Sequence, residues 1–251
     1  MTHINDIAYS MARLNGHPLG LAIEQGHIDA VRMLIEHGAD LTIRDKMGDS
    51  YLHYAARYGR NDIISLLIES GMDINTEGVH FNALNDAILG EYYRPNTINM
   101  DTVRLLIGYG IDINNSNGHP PLYDALCSGY VPLIELLMNN GADITMPYKH
   151  SHTPIHRAAM TDNPEMIDLM IKYGADININ TLPDGTPLTA SVRYSCNRSI
   201  RHLIGLGADP SNTQTHTDKY IGKPLSEMAK DTHMPDDIVE LIRDYEAKWA
   251  S

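Results

Sequence analysis

The sequence predicts an all-α fold, a stack of helix-turn-helix repeats, and three recurring marks predict it. The first is Gly-x-Asp, at Gly38, Gly71, Gly110, Gly141, Gly174 and Gly207, with intervals of 33, 39, 31, 33 and 33 residues. The second is an apolar residue three positions before a small one, at Leu19/Ala22, Leu52/Ala55, Leu84/Ala87, Leu122/Ala125 and Ile155/Ala158, with Leu188/Ser191 and Leu225/Met228 in the same places. The third is the set Val31/Leu34/Ile35, which returns as Ile64/Leu67/Ile68, Val103/Leu106/Ile107, Ile134/Leu137/Met138, Ile167/Met170/Ile171, Ile200/Leu203/Ile204 and Ile238/Leu241/Ile242. Its i, i+3, i+4 spacing is one helical face. A fixed period shared by all three marks is the signature of a repeat architecture.

Each repeat reads as a short first helix opened by Pro or a small polar residue, a tight turn, a longer amphipathic second helix and a stop at Gly. The stop suits the left-handed residue that ends many helices. Small Ala on the first helix lets neighbouring backbones approach. The apolar stripe of the second helix has only the next repeat to cover it, so the units must stack. The chain is expected to be a single domain over 1–251, with an N-terminal capping helix in 1–15 and repeats at about 16–41, 42–74, 75–113, 114–144, 145–177, 178–210 and 211–247. Arg243, Asp244 and Lys248 suit a C-terminal cap. Glu91 to Asn99 lengthens the turn between the two helices of repeat 3, Ser211 to Gly222 precedes repeat 7, and repeat 4 is shortened between Gly110 and Leu122.

The segments "TPIHRAA" at 153–159, "SYLHYAA" at 50–56 and "RMLIEHGADLTIRDKMGDSYLH" from residue 32 resemble ankyrin repeats, over roughly Gly16 to Ala247. The resemblance implies an ankyrin-repeat solenoid of stacked helix-turn-helix units with hairpin-like connecting loops. It also implies recognition of other proteins on the concave face, formed by hairpin tips and first helices.

With 251 residues, 43% of them hydrophobic, the chain can bury a core. A net charge of −13 repels phosphate backbones, so no nucleic-acid partner is expected. Two cysteines make no disulfide scaffold, and neither a signal peptide nor an 18-residue apolar run is present, which points to the cytoplasm and away from membranes.

Chemistry is hard to find. His150, His152 and His156 are close in sequence, but His156 falls on the His of the family's Thr-Pro-Leu-His motif. There it is expected to hydrogen-bond Thr153, as His53 does Ser50. A metal needs three or four convergent ligands, so none is expected. No nucleophile elbow, phosphate loop or His-Glu-x-x-His helix occurs, and Cys127 and Cys196 have no partners at a recognisable spacing. The repeating Asp40, Asp73, Asp112, Asp143, Asp176 and Asp209 imply a structural duty, and Asn75, Asn114 and Asn178 are expected to bond their own backbone. The reading is a non-enzyme without cofactor or metal.

Carrying the family's variable positions over residue by residue gives the partner-binding candidates. They are Met47, Arg57 and Tyr58 in repeat 2, Phe81 in repeat 3, His119 in repeat 4, His150, His152 and Met160 in repeat 5, and Arg193 and Tyr194 in repeat 6. The insertion adds Glu91, Tyr92, Tyr93 and Arg94. Aromatic, Met and Arg side chains are the types enriched in interface centres. The expected partner is another protein, basic in character, bound by a chain that is monomeric when free. The reading is an immunity-type inhibitor of a toxic enzyme. The alternatives are a host-directed effector or adaptor and, more remotely, a metal-dependent enzyme.

Overall fold

A computed structural model describes residues 16–76, 78, 81–90, 98–114, 120–148, 152–181, 185–211 and 223–251. Among them are fourteen helices in seven pairs and no strand. The pairs are α1 (Pro18–Gln25) and α2 (Ile28–Glu36), α3 (Tyr51–Arg57) and α4 (Asn61–Glu69), α5 (Ala83–Leu89) and α6 (Met100–Gly108), α7 (Pro121–Ser128) and α8 (Val131–Asn139), α9 (Pro154–Ala159) and α10 (Pro164–Lys172), α11 (Pro187–Arg193) and α12 (Asn197–Gly205), and α13 (Leu225–Asp231) and α14 (Asp236–Trp249). The predicted capping helix in 1–15 lies outside the described residues. No helix among those described is long and apolar enough to cross a membrane.

The chain divides into two compact units, Met1–Asp124 and Ala125–Ser251. In the first, α1, α3 and α5 pack in succession, as do α2, α4 and α6 behind them. The second repeats the scheme, with α9, α11 and α13 in one row and α10, α12 and α14 in the other. Every first-helix pair of the second mark is buried, from Leu19 and Ala22 to Leu225 and Met228. In the stripe of the second helices the first residue of each set is buried, from Val31 to Ile238. From repeat 2 to repeat 6 the third residue, Ile68, Ile107, Met138, Ile171 or Ile204, is only half-buried. The predicted stripe is therefore correct in position and narrower in burial.

The marks that stop the second helices adopt the left-handed conformation, with φ from 81° at Gly38 to 95° at Gly71. A second left-handed row is glycine in its first three places and a larger residue in its last three. It joins the two helices of a pair and comprises Gly26, Gly59 and Gly129, then Asp162, Ser195 and His233 with φ of 53°, 56° and 56°. An L side chain there costs roughly 1–2 kcal/mol. Asp162 offsets the strain, because its carboxylate accepts from the Arg198 and Ser199 amides at 2.7 and 3.1 Å and caps α12 of the next repeat.

The periodic aspartates have the structural duty expected of them. Asp40, Asp73, Asp112, Asp143, Asp176 and Asp209 each accept from the amide two residues on, at 2.7–2.9 Å. The asparagines differ from expectation. The Asn75 side-chain oxygen accepts from the Asp112 amide and that of Asn178 from the Asp209 amide, both at 2.7 Å. They tie one repeat to the next rather than closing a local turn, because the stack brings a donor from the neighbouring hairpin within reach.

Candidate functional site: recognition positions and a buried ionic junction

The hairpin tip of repeat 2 is built by Asp45. One carboxylate oxygen accepts from the Met47 and Asp49 amides at 2.8 and 2.9 Å, and the other accepts the Tyr54 hydroxyl at 3.1 Å. This turn pushes Met47 into solvent, where 61% of it is exposed. Tyr58 ends α3, half-buried, with its ring 6.4 Å from that of Tyr54. In the second unit Tyr194 ends α11 and is 49% exposed, beside half-buried Arg193. Met160 ends α9, half-buried, and its carbonyl accepts from the Cys196 thiol at 3.4 Å. His152 is half-buried with its ring 6.4 Å from that of His156. Candidates Glu91, Tyr92, Tyr93, Arg94, His119 and His150 lie outside the described residues.

Two histidines brace the first helices. Thr153 Oγ1 and His156 Nδ1 are 2.8 Å apart, as are Ser50 Oγ and His53 Nδ1, so the expected local bonds are present. Their far sides reach the next repeat. His156 Nε2 lies 2.9 Å from the Gly185 carbonyl, and His53 Nε2 lies 3.1 Å from that of Phe81. The Ser50 amide donates to His53 Nδ1 at 3.2 Å, so in the neutral ring Nε2 carries the proton given to Phe81. Phe81 thus enters the junction through its backbone.

Arg57, a partner-binding candidate, is engaged inside the first unit. Its guanidinium donates to Asp49 at 2.5 Å and to Asp86 at 2.7 and 2.9 Å, and it lies over the Tyr54 ring at 5.2 Å. Side-chain exposures are 13% for Arg57, 11% for Asp49 and 6% for Asp86. The backbone of Gly78 lies over this group. A Cβ there would sit 2.9 Å from Asp49 Oδ1, 3.0 Å from the Phe81 carbonyl and 3.2 Å from His53 Nε2, so only glycine lets the hairpin close on the carboxylate. Donor atoms of Asp49, His53 and Asp86 lie within 4.8 Å of one another, and the cation among them is the guanidinium itself.

Burial raises the Asp86 pKa to about 6, with the Arg57 and His53 charges opposing and Asp49 adding to the rise. Burial opposes the charge on Arg57, but Asp86 and Asp49 outweigh it and hold the guanidinium protonated. Burial, with the Asp162 carboxylate, pushes the Cys196 thiol up, which leaves it a poor nucleophile. Sequence reasoning missed Asp86. The available signal was an acidic residue on the buried face of a first helix, 29 positions after an arginine, in the slot that Ala190 fills in repeat 6.

A family pattern described as ankyrin repeats in three copies matches residues 4–78 and 95–148, and a single ankyrin-repeat pattern matches 150–182. Relatives include the potassium channel AKT2/3 of Arabidopsis thaliana, 27% identical over 139 residues, which are 53% of this chain and 16% of the channel. A putative palmitoyltransferase, ZDHHC13 of Danio rerio, is 28% identical over 136 residues, 53% of this chain and 20% of that protein. The chain thus spans a fifth or less of either relative's length. The crystal structure of the ankyrin-repeat domain of Bcl-3 superposes with a TM-score of 0.69 at 22% identity, over 90% of this chain and 97% of that one, which establishes the fold. The chain belongs to the ankyrin-repeat family.

Proposed function

We propose that the protein is a non-catalytic binding module that recognises a partner protein with its hairpin tips and the C-terminal ends of its first helices. Ankyrin repeats are protein-interaction units, and this chain is built of them. The observation that carries the reading to these positions is the exposure of Met47 and Tyr194, at 61% and 49%. Both stand at repeat positions where the fold requires no large apolar side chain, and both are of types that concentrate binding energy.

Within that reading we infer an inhibitor that occludes its partner, with a basic protein as the target. The charge of −13 would steer such a partner toward the stack and speed association. A cytoplasmic monomer with no enzymatic activity of its own is the simplest form of this proposal, and a host-directed adaptor is its alternative. The test is affinity capture with the full chain, identification of a partner and titration calorimetry against variants. Met47→Ala and Tyr194→Ala should each weaken binding by more than about 1 kcal/mol with an unchanged melting temperature. Glu69→Lys on α4 should alter association rate and its salt dependence instead. Binding that survives both truncations and fails on second-helix variants would move the interface to the opposite face. Inhibition is tested separately, by the partner's own activity in the presence of the chain.

A further inference from the structure

We propose that the Asp49–Arg57–Asp86 junction is a proton-operated switch between repeats 2 and 3, in which Asp86 takes up one proton and loosens its hold on Arg57. The geometry carries this. Two carboxylates and one guanidinium leave the junction with a formal charge of −1, in a place where Asp49 and Asp86 are 7% and 4% exposed. An uncompensated charge in such surroundings is costly, and gaining one proton removes it. One atom is ready to take it. Asp86 Oδ2 is buried and has no hydrogen-bond partner, whereas Asp86 Oδ1 accepts both contacts from Arg57.

The groups around Asp86 decide which carboxylate responds. From α3 it faces Arg57 and His53, the latter with its Nδ1 and Nε2 already bonded to Ser50 and the Phe81 carbonyl. From the turn before α3 it faces Asp49, behind which Asp45 is bonded to the Asp49 amide and to Tyr54. On its own helix Asn85 donates to Asp124 of α7 at 2.9 Å, and on α6 the charged residues Asp101 and Arg104 are exposed. Asp86 is the more buried carboxylate and has a buried oxygen without a hydrogen bond, and its raised pKa agrees. The proton comes from solvent to Oδ2, Arg57 keeps its charge and its bond to Asp49, and the link from α3 to α5 changes from an ion pair to a guanidinium donating to an uncharged carboxyl, which is weaker. A partner docked on Met47 and Tyr58 would meet two states of this junction, a consequence that, unlike the switch, rests on the reading proposed above.

The test is a carboxyl-carbon NMR titration of the full chain, with labelled aspartate and no partner present. Asp86 should titrate with a midpoint at least one pH unit above the ordinary aspartate value of about 3.9. The Arg57 Nε–H resonance should shift with the same midpoint. A midpoint for Asp86 within half a unit of the ordinary value overturns the proposal, as does an Arg57 signal that stays still while Asp86 titrates. Asp86→Asn should delete the carboxyl signal and freeze that of Arg57. Should this variant not fold, through-bond assignment of the unsubstituted chain gives the same decision. Because no partner is used, failure here leaves the binding reading intact, and a failed binding test leaves the switch intact.

Discussion

The junction between repeats 2 and 3 and the junction between repeats 5 and 6 share one scaffold and bury different things. In both, a histidine three residues after the first helix's N-cap reaches the carbonyl just before the next repeat's N-cap, at 3.1 Å for His53 and 2.9 Å for His156. Around His53 the neighbouring slots hold Asp49, Arg57 and Asp86. Around His156 the same slots hold His152, Met160 and Ala190, a filling without arginine or carboxylate. In the second unit Glu135 pairs with Lys172 and Arg201 with Asp237 on exposed surfaces between successive second helices, where His202 Nε2 also lies 2.6 Å from Asp168 Oδ1. Both junctions keep the histidine bridge with either filling, so the buried charges are an addition to the fold rather than a condition of it.

The strongest way to break this comparison is Arg57→Met, which gives repeat 2 the residue of repeat 5 and leaves two carboxylates facing each other without a cation. The expected loss is about 3–5 kcal/mol at pH 7, read by urea denaturation and smaller at pH 5. The triple exchange Asp49→His, Arg57→Met and Asp86→Ala, which copies the whole filling, should return stability to within about 1 kcal/mol of the parent. A triple variant as unstable as the single one would show that the junctions are not interchangeable.

The apolar stripe calibrates what neutral packing contributes. Leu137 is fully buried, so Leu137→Ala should cost about 2–5 kcal/mol through the cavity it leaves. Ile171, half-buried, should cost well under half of that in thermal or chemical melts. Equal losses would contradict the narrow burial of the stripe.

The pH profile sharpens the contrast. The folded-state pKa of Asp86 is raised, so folding takes up a proton below about pH 6. Its contribution is fully present below the ordinary value near 3.9 and is lost as pH rises through about 6, a change on the order of 2–3 kcal/mol. The difference in unfolding free energy between the parent and Asp86→Asn should show this slope between pH 4 and 6. The same measurement on a Met160 or Ala190 variant should show none.

The smallest expected effects lie at the left-handed row of the second unit. Ser195→Gly relieves a strained backbone at the expense of a more flexible unfolded chain, for a net gain of about 0.5–1 kcal/mol. Asp162→Gly should instead lose about 1 kcal/mol, because the cap on α12 goes with the side chain. A gain at both positions in thermal melts would mean that the Asp162 cap contributes little.

The sequence by itself determined the helix pairs, their order and their buried faces. These follow from local rules that each repeat states afresh: Gly where a helix must turn left-handed, Asp two residues before an amide it can accept, and an apolar face at helical spacing. Thr153 with His156 and Ser50 with His53 were legible for the same reason, since three residues of separation fix the contact within one turn. The tertiary structure alone decided whatever depends on the distance between repeats. It gave the Asn75 and Asn178 oxygens to the next repeat's backbone, set Asp162 over a helix belonging to another repeat, and trimmed the burial of Ile171. It also placed Arg57, a side chain long enough to reach solvent or a neighbour, between Asp49 and Asp86. A flexible cation goes where desolvated opposite charges lie within reach, and only the stacking of α5 against α3 brings Asp86 there.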